Sequence, residues 1–145
     1  MSRLARVPVP VLVVGAVVVA VVLNLIAFAI GVGAGGTFEG DSPMGSIVVG
    51  PLNVVMLTAL PLGVALVAVA VIRRWWRGVT TVALVAGPVL ELGSIFAMTL
   101  PAGFDATSTA ALVACHILMV PVTVVALLAL RRGLPIRSTG DAPPE

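Results

Sequence analysis

Hydrophobic positions in this chain fall into four nearly unbroken runs, about Pro8–Ile30, Ile47–Ile72, Val79–Leu100 and Thr107–Leu130. The polar residues gather mostly in the short stretches between them. No run alternates polar and apolar positions, so neither a half-buried strand nor a surface helix explains them. Each exceeds the ~20 residues that a helix needs to cross a ~30 Å hydrocarbon core. Lipid offers the backbone no hydrogen-bond partner, so a span must satisfy its own N–H and C=O groups as a helix. The abundant Val would favour strands in water, but here the medium decides. A transmembrane barrel would show short alternating segments instead. The pattern predicts an all-α fold: a four-transmembrane-helix bundle with antiparallel up-down topology over residues 1–137, then a disordered tail over 138–145.

Composition sharpens this picture. Of 145 residues, 60% are apolar and 10% charged, where soluble domains hold about 25% charged residues. Mean hydropathy is +1.23. A water-soluble globule could neither bury this much apolar surface nor cover it, which excludes a soluble enzyme, a disordered chain and a nucleic-acid-binding module. The pI of about 10.0 reflects no basic face. The eight basic residues are all Arg, clustered at Arg3 and Arg6, at Arg73, Arg74 and Arg77, and at Arg131, Arg132 and Arg137. These clusters occupy alternate ends of the runs, while Glu39, Asp41 and Asp105 lie in the other two loops. By the positive-inside rule, both termini and the middle loop face the cytoplasm of a multi-pass plasma-membrane protein.

The loops carry further expectations. Arg73–Gly78 is short and predicts a tight antiparallel hairpin of the second and third helices. Within it, Arg73, Arg74, Trp75, Trp76 and Arg77 read as an interfacial anchor, indoles at headgroup level and guanidinium groups toward phosphates. Gly31–Ser46 holds six glycines. No strand precedes it and it faces outward, so it reads as a flexible connector rather than a phosphate-binding loop. Arg3, Arg6 and Ala27-Phe28-Ala29 resemble a secretory signal with its cleavage site, but the apolar run is too long and Asn24 interrupts it. Pro51 and Pro61 in the second helix, Pro88 in the third and Pro121 in the fourth favour kinks.

The chemistry rests on few side chains. Within the runs stand one acid, Glu91, one imidazole, His116, and the chain's two amides, Asn24 and Asn53. At 1.5 Å per residue, Glu91 and His116 lie about 13 Å from the outer helix ends, and the asparagines about 9–10 Å. Small-residue stripes flank them: Ala16, Ala20, Asn24, Ala27 and Gly31; Ala83, Gly87, Glu91, Ser94 and Ala97; Thr109, His116 and Thr123 on a shared face. Small residues let membrane helices approach closely, so the four polar groups are expected to converge on one inner layer. Such a cluster reads as interhelical glue, at roughly 0.6 kcal/mol per hydrogen bond. The other readings are a proton- or ligand-handling site and a contact with a partner subunit. Cys115 and His116 diverge by about 100°, which leaves too few ligands for a metal, and the single Cys makes no internal disulfide. No cofactor is implied. No Ser-His-Asp, HExxH or paired-carboxylate pattern marks an enzyme, and Ser94 reads as part of a packing stripe.

Residues 3–132 resemble a family of small four-helix integral membrane proteins from high-GC Gram-positive bacteria, a domain of unknown function. The resemblance lies in an Arg-led first helix ending Val-Leu-Asn24-Leu-Ile, a Leu60-Pro61-Leu-Gly in the second, an Arg-Trp turn, and Ala111-Leu-Val-Ala-Cys-His116. Asn24 and His116 fall on the family's pattern. The resemblance implies a fold and no activity. The expected function is therefore a structural or partner-binding membrane subunit, embedded in the lipid bilayer and joined to a second copy or a membrane partner. The alternative is a small transporter-like protein using the Glu/His/Asn cluster. An analogy with small multidrug exporters fails at the site, because their aromatic-lined cation pocket has no counterpart here.

Overall fold

The computed structural model describes residues 8–42 and 45–132. The N-terminal Arg3 and Arg6, Arg137 and the tail over 138–145 lie outside the described residues. Four helices form: α1 (Val9–Gly33), α2 (Pro51–Ile72), α3 (Val79–Ser94, running on as a π-turn over Ile95–Thr99) and α4 (Ala106–Arg131). Each is long and apolar enough to cross a membrane. Pro10 sits in the first turn of α1 and Pro51 opens α2, where a missing N–H costs nothing and a fixed φ suits the helix. Pro51 thus starts its helix instead of kinking it; Pro61, Pro88 and Pro121 lie inside theirs.

In the packing order, α1 lies between α2 and α4, and α3 packs on the far side of α4. The expected tight pairing of α2 with α3 is not what the chain adopts, since these two barely touch. The turn between them instead crosses the end of the bundle. The Arg73 guanidinium donates to the Leu130 carbonyl in the last turn of α4, and Val79 enters the core as α3 begins. That core fills the arginine end: Val13 and Ala20 of α1 meet Leu62, Leu66 and Val69 of α2 and Ala126, Leu127 and Leu130 of α4. Helix α3 is the least covered, with Leu90 at 72% and Phe96 at 71% exposure outside the bundle.

The opposite end is closed by an ordered hairpin where a flexible connector was expected. Strands β1 (Glu39–Ser42) and β2 (Gly45–Val48) pair antiparallel, Glu39 opposite Val48. The Asp41 N–H donates to the Ala102 carbonyl at 2.7 Å, tying β1 to the α3–α4 loop. Ahead of β1, Phe38 turns its ring into the bundle against Phe28, centroids 4.5 Å apart, and is 2% exposed. Its backbone sits at φ 56°, the left-handed region, which a non-glycine residue occupies only when its surroundings hold it there.

Candidate functional site

The polar side chains of the four helices separate into distinct seams. On the α1–α2 seam, Asn24 is buried and its Nδ2 donates to Thr58 Oγ1 at 2.9 Å. From the third side, Cys115 Sγ of α4 approaches the Asn24 carbonyl at 3.6 Å. Asn53 is elsewhere. The hairpin takes residues 45–48, so α2 starts at Pro51 and Asn53 falls in its first turn. There it is exposed, and its Oδ1 accepts the Gly50 N–H at 3.1 Å.

The α3–α4 seam holds the two ionisable side chains. Thr123 Oγ1 donates to Glu91 Oε1, while Glu91 Oε2 is buried with no hydrogen-bond partner among the described residues. His116 lies between two hydroxyls, Ser94 Oγ at 3.0 Å from Nδ1 and Thr99 Oγ1 at 3.4 Å from Nε2. The Ser94 hydroxyl also donates to the Glu91 carbonyl at 2.7 Å. Among the described residues no hydrogen bond joins any two of Asn24, Asn53, Glu91 and His116.

Two physical facts separate what was expected to converge. Cys115 and His116 are neighbours on α4, about 100° apart, so one faces α1 and the other α3. Helices α1 and α3 both pack on α4 but not on each other, so Asn24 and Glu91 lie on separate seams. The common depth fails as well. Side chains lean toward the N-terminus of their helix, which for α3 is the arginine end. Glu91 accordingly reaches Thr123, about 26 Å from the start of α4 at Ala106, whereas His116 is about 15 Å from it.

Ser94 and Thr123 stand on the stripes read from the sequence, as packing residues and not as hydrogen-bond partners; Thr58 and Thr99 were missed, because hydroxyl residues do not stand out in an apolar run. Also missed was the clamp beneath the hairpin. Asp105 caps α4, its Oδ1 accepting the Ser108 N–H at 2.9 Å. Its Oδ2 accepts from the Ser108 hydroxyl and, at 3.0 Å each, from the Thr37 N–H and hydroxyl. The Ser108 hydroxyl in turn accepts the Phe38 N–H at 2.8 Å. These bonds, those of Ser108 foremost, hold the Asp105 carboxyl well below the usual carboxylate range. An Asp directly before an apolar run is the signal that marks this cap.

At the arginine end, Trp75, Trp76, Arg74, Arg77, Arg131 and Arg132 are exposed, and Arg73 is half-buried against α4. Among the described residues, no group of three His, Cys, Asp or Glu side chains lies close enough to hold a metal ion. No protein-family model, curated protein or solved structure matches this chain.

Proposed function

We propose that this protein is a multi-pass plasma-membrane subunit with a structural or partner-binding role, both termini and the Arg73–Arg77 turn facing the cytoplasm and the β-hairpin facing out. The observation that carries this reading is that Asn24, Glu91 and His116 each bond across a helix–helix seam. Such bonds hold membrane helices together. The exposed Trp75 and Trp76 with the surrounding Arg side chains anchor the turn at the headgroups. Helix α3, covered on one side only, is the face offered to a second copy or a membrane partner. A cysteine pair of variants tests it in native membranes. With Cys115 replaced by Ser, Leu90→Cys on α3 should form an intermolecular cross-link under mild oxidation, while the comparably exposed Val14→Cys on α1 should not. Equal cross-linking, or none at either position, removes the partner-binding role.

A second reading, proton or ligand handling, is favoured by one atom. Glu91 Oε2 is buried without a partner among the described residues, and ionisable groups inside a membrane are candidates for function by default. In proteoliposomes given a pH step, Glu91→Gln should then abolish a proton flux that the native protein supports. If native and variant vesicles behave alike, Glu91 is only part of the seam.

A further inference from the structure

We propose that His116 is a proton-binding site, its neutral ring held as the Nδ1–H tautomer and its Nε2 the atom that takes up the proton. The site goes beyond the subunit reading and does not depend on Glu91 carrying protons.

Hydrogen-bond arithmetic assigns the tautomer. A serine hydroxyl has one proton to give. Ser94 is 2.7 Å from the Glu91 carbonyl, a group that can only accept, so its proton goes there. Ser94 therefore presents a lone pair to His116 Nδ1, 3.0 Å away, and Nδ1 must carry the hydrogen. A neutral imidazole has only one N–H. Nε2 is thus bare and takes the hydroxyl of Thr99.

The π-turn explains how one helix reaches both nitrogens. In an α-helix, residues five apart stand about 140° apart around the axis, so Ser94 and Thr99 could not both face the ring. Their places over it would go to Ala97 and Met98, apolar side chains with nothing to offer Nε2. The turn over Ile95–Thr99 closes instead with the Leu100 N–H on the Ile95 carbonyl at 2.9 Å. One full turn then separates Ser94 from Thr99, which straddle the imidazole, while Ala97 and Met98 face outward. Single π-turns inside α-helices recur at functional sites.

Two hydroxyls suit both states of the ring. Uptake of a proton from water forms one N–H bond at Nε2 and breaks none in the protein. The imidazolium then has two N–H donors. Ser94 Oγ continues to accept from Nδ1, and Thr99 turns its hydroxyl so that its oxygen accepts from Nε2. No backbone needs to move. Among the groups facing the ring, Glu91 is the only acid on α3, and its carboxyl is engaged seven residues along α4 at Thr123. On α4 itself, Cys115 faces α1 and Asp105 is occupied by Thr37 and Ser108. Neither α1 nor α2 carries a titratable side chain.

His116 is the only histidine of the chain, so solid-state NMR of protein labelled at histidine, purified through a tag free of histidine and returned to liposomes, reads one imidazole. At neutral pH the ring should show a protonated Nδ1 and a bare Nε2. Near pH 4, below the ordinary histidine value of about 6.5, it should show both nitrogens protonated. Ser94→Ala should move the neutral ring's proton to Nε2. Thr99→Val should keep it on Nδ1 and lose part of the imidazolium signal in acid, and Thr99→Ser should restore that signal. A native Nε2–H tautomer, a ring still neutral near pH 4, or native spectra in both Ser94→Ala and Thr99→Val would overturn the proposal. The cross-linking outcome at Leu90 bears on none of these signals, so the two readings fail separately.

Discussion

Asp105 gathers four donors on two carboxylate oxygens: the Ser108 N–H on Oδ1, and the Ser108 hydroxyl with both donors of Thr37 on Oδ2. Only an ionised carboxylate accepts on this scale. An amide has one acceptor oxygen, and its NH2 would face donors. Asp105→Asn should therefore loosen the hairpin end at neutral pH, although Asn is an acceptable cap for an ordinary helix. The readout is amide exchange at Phe38, whose N–H rests on the Ser108 hydroxyl. The same bonds set a pH dependence. The carboxyl is depressed in the folded protein, so its contribution is complete above the unfolded value of about 3.9 and is lost as pH falls through the lower folded one. Protection of the Phe38 N–H, its exchange measured against the free-chain rate at each pH, should stay constant from neutral pH to about pH 4 and fall only in stronger acid. A loss of that protection between pH 7 and about pH 5 would show that another group holds the hairpin.

At the scale of elements, close approach decides what each helix tolerates. A Cβ added at Gly31 would stand 2.6 Å from the Ala111 Cβ of α4 and 2.7 Å from the Phe38 ring. One at Gly33, in the same turn of α1, would meet nothing within 4 Å. Gly31→Ala should cost about 1–3 kcal/mol by forcing α1 from α4 and displacing Phe38, while Gly33→Ala should be neutral or slightly stabilising, since Ala is the better helix former. Thermal unfolding in detergent separates them, and equal losses would contradict the packing. The four helices were legible in the sequence because length and apolarity alone specify a span, though Ile47 and Val48, read as the start of the second, pair in β2. The inward face of α1 was legible too: Ala20, Asn24, Ala27 and Gly31 are all buried. The hairpin was not, because the six glycines between Gly31 and Ser46 suggest looseness, whereas Gly36 and Gly40 are spaces into which Ser108, Phe38 and Phe104 fit. Nor was the outward turn of Ala97. The stripe through Ala83, Gly87, Glu91 and Ser94 assumes a regular helix, and one extra residue in the π-turn shifts its phase.

Across the whole molecule, the order of helices follows from which seams carry complementary shapes, and not from proximity along the chain. Short connections normally make neighbours of consecutive helices. Between α2 and α3 that tendency yields to α4, which offers α3 a polar seam and a close fit: a Cβ at Gly87 would lie 3.1 Å from the Thr123 methyl. Helix α2 offers α3 nothing comparable, since its hydroxyl, Thr58, is spent on Asn24. The separation explains why residues meant for one layer ended in two. Disulfide trapping can read the order directly, because a disulfide needs Cβ atoms about 3.5–4.5 Å apart. In a Cys115→Ser background, Val17→Cys with Gly63→Cys, where a Cβ at Gly63 would lie 3.7 Å from the Val17 methyl, and Gly87→Cys with Thr123→Cys should each close a bond, linking α1 to α2 and α3 to α4. Val64→Cys with Val85→Cys, on the mostly outward faces of α2 and α3, should stay reduced under the same oxidant. A bond across α2 and α3 in membranes would mean that the lipid-embedded protein closes into a four-cornered bundle. Asn24 and His116 would then be brought nearer, and the single converging layer would return as the better description.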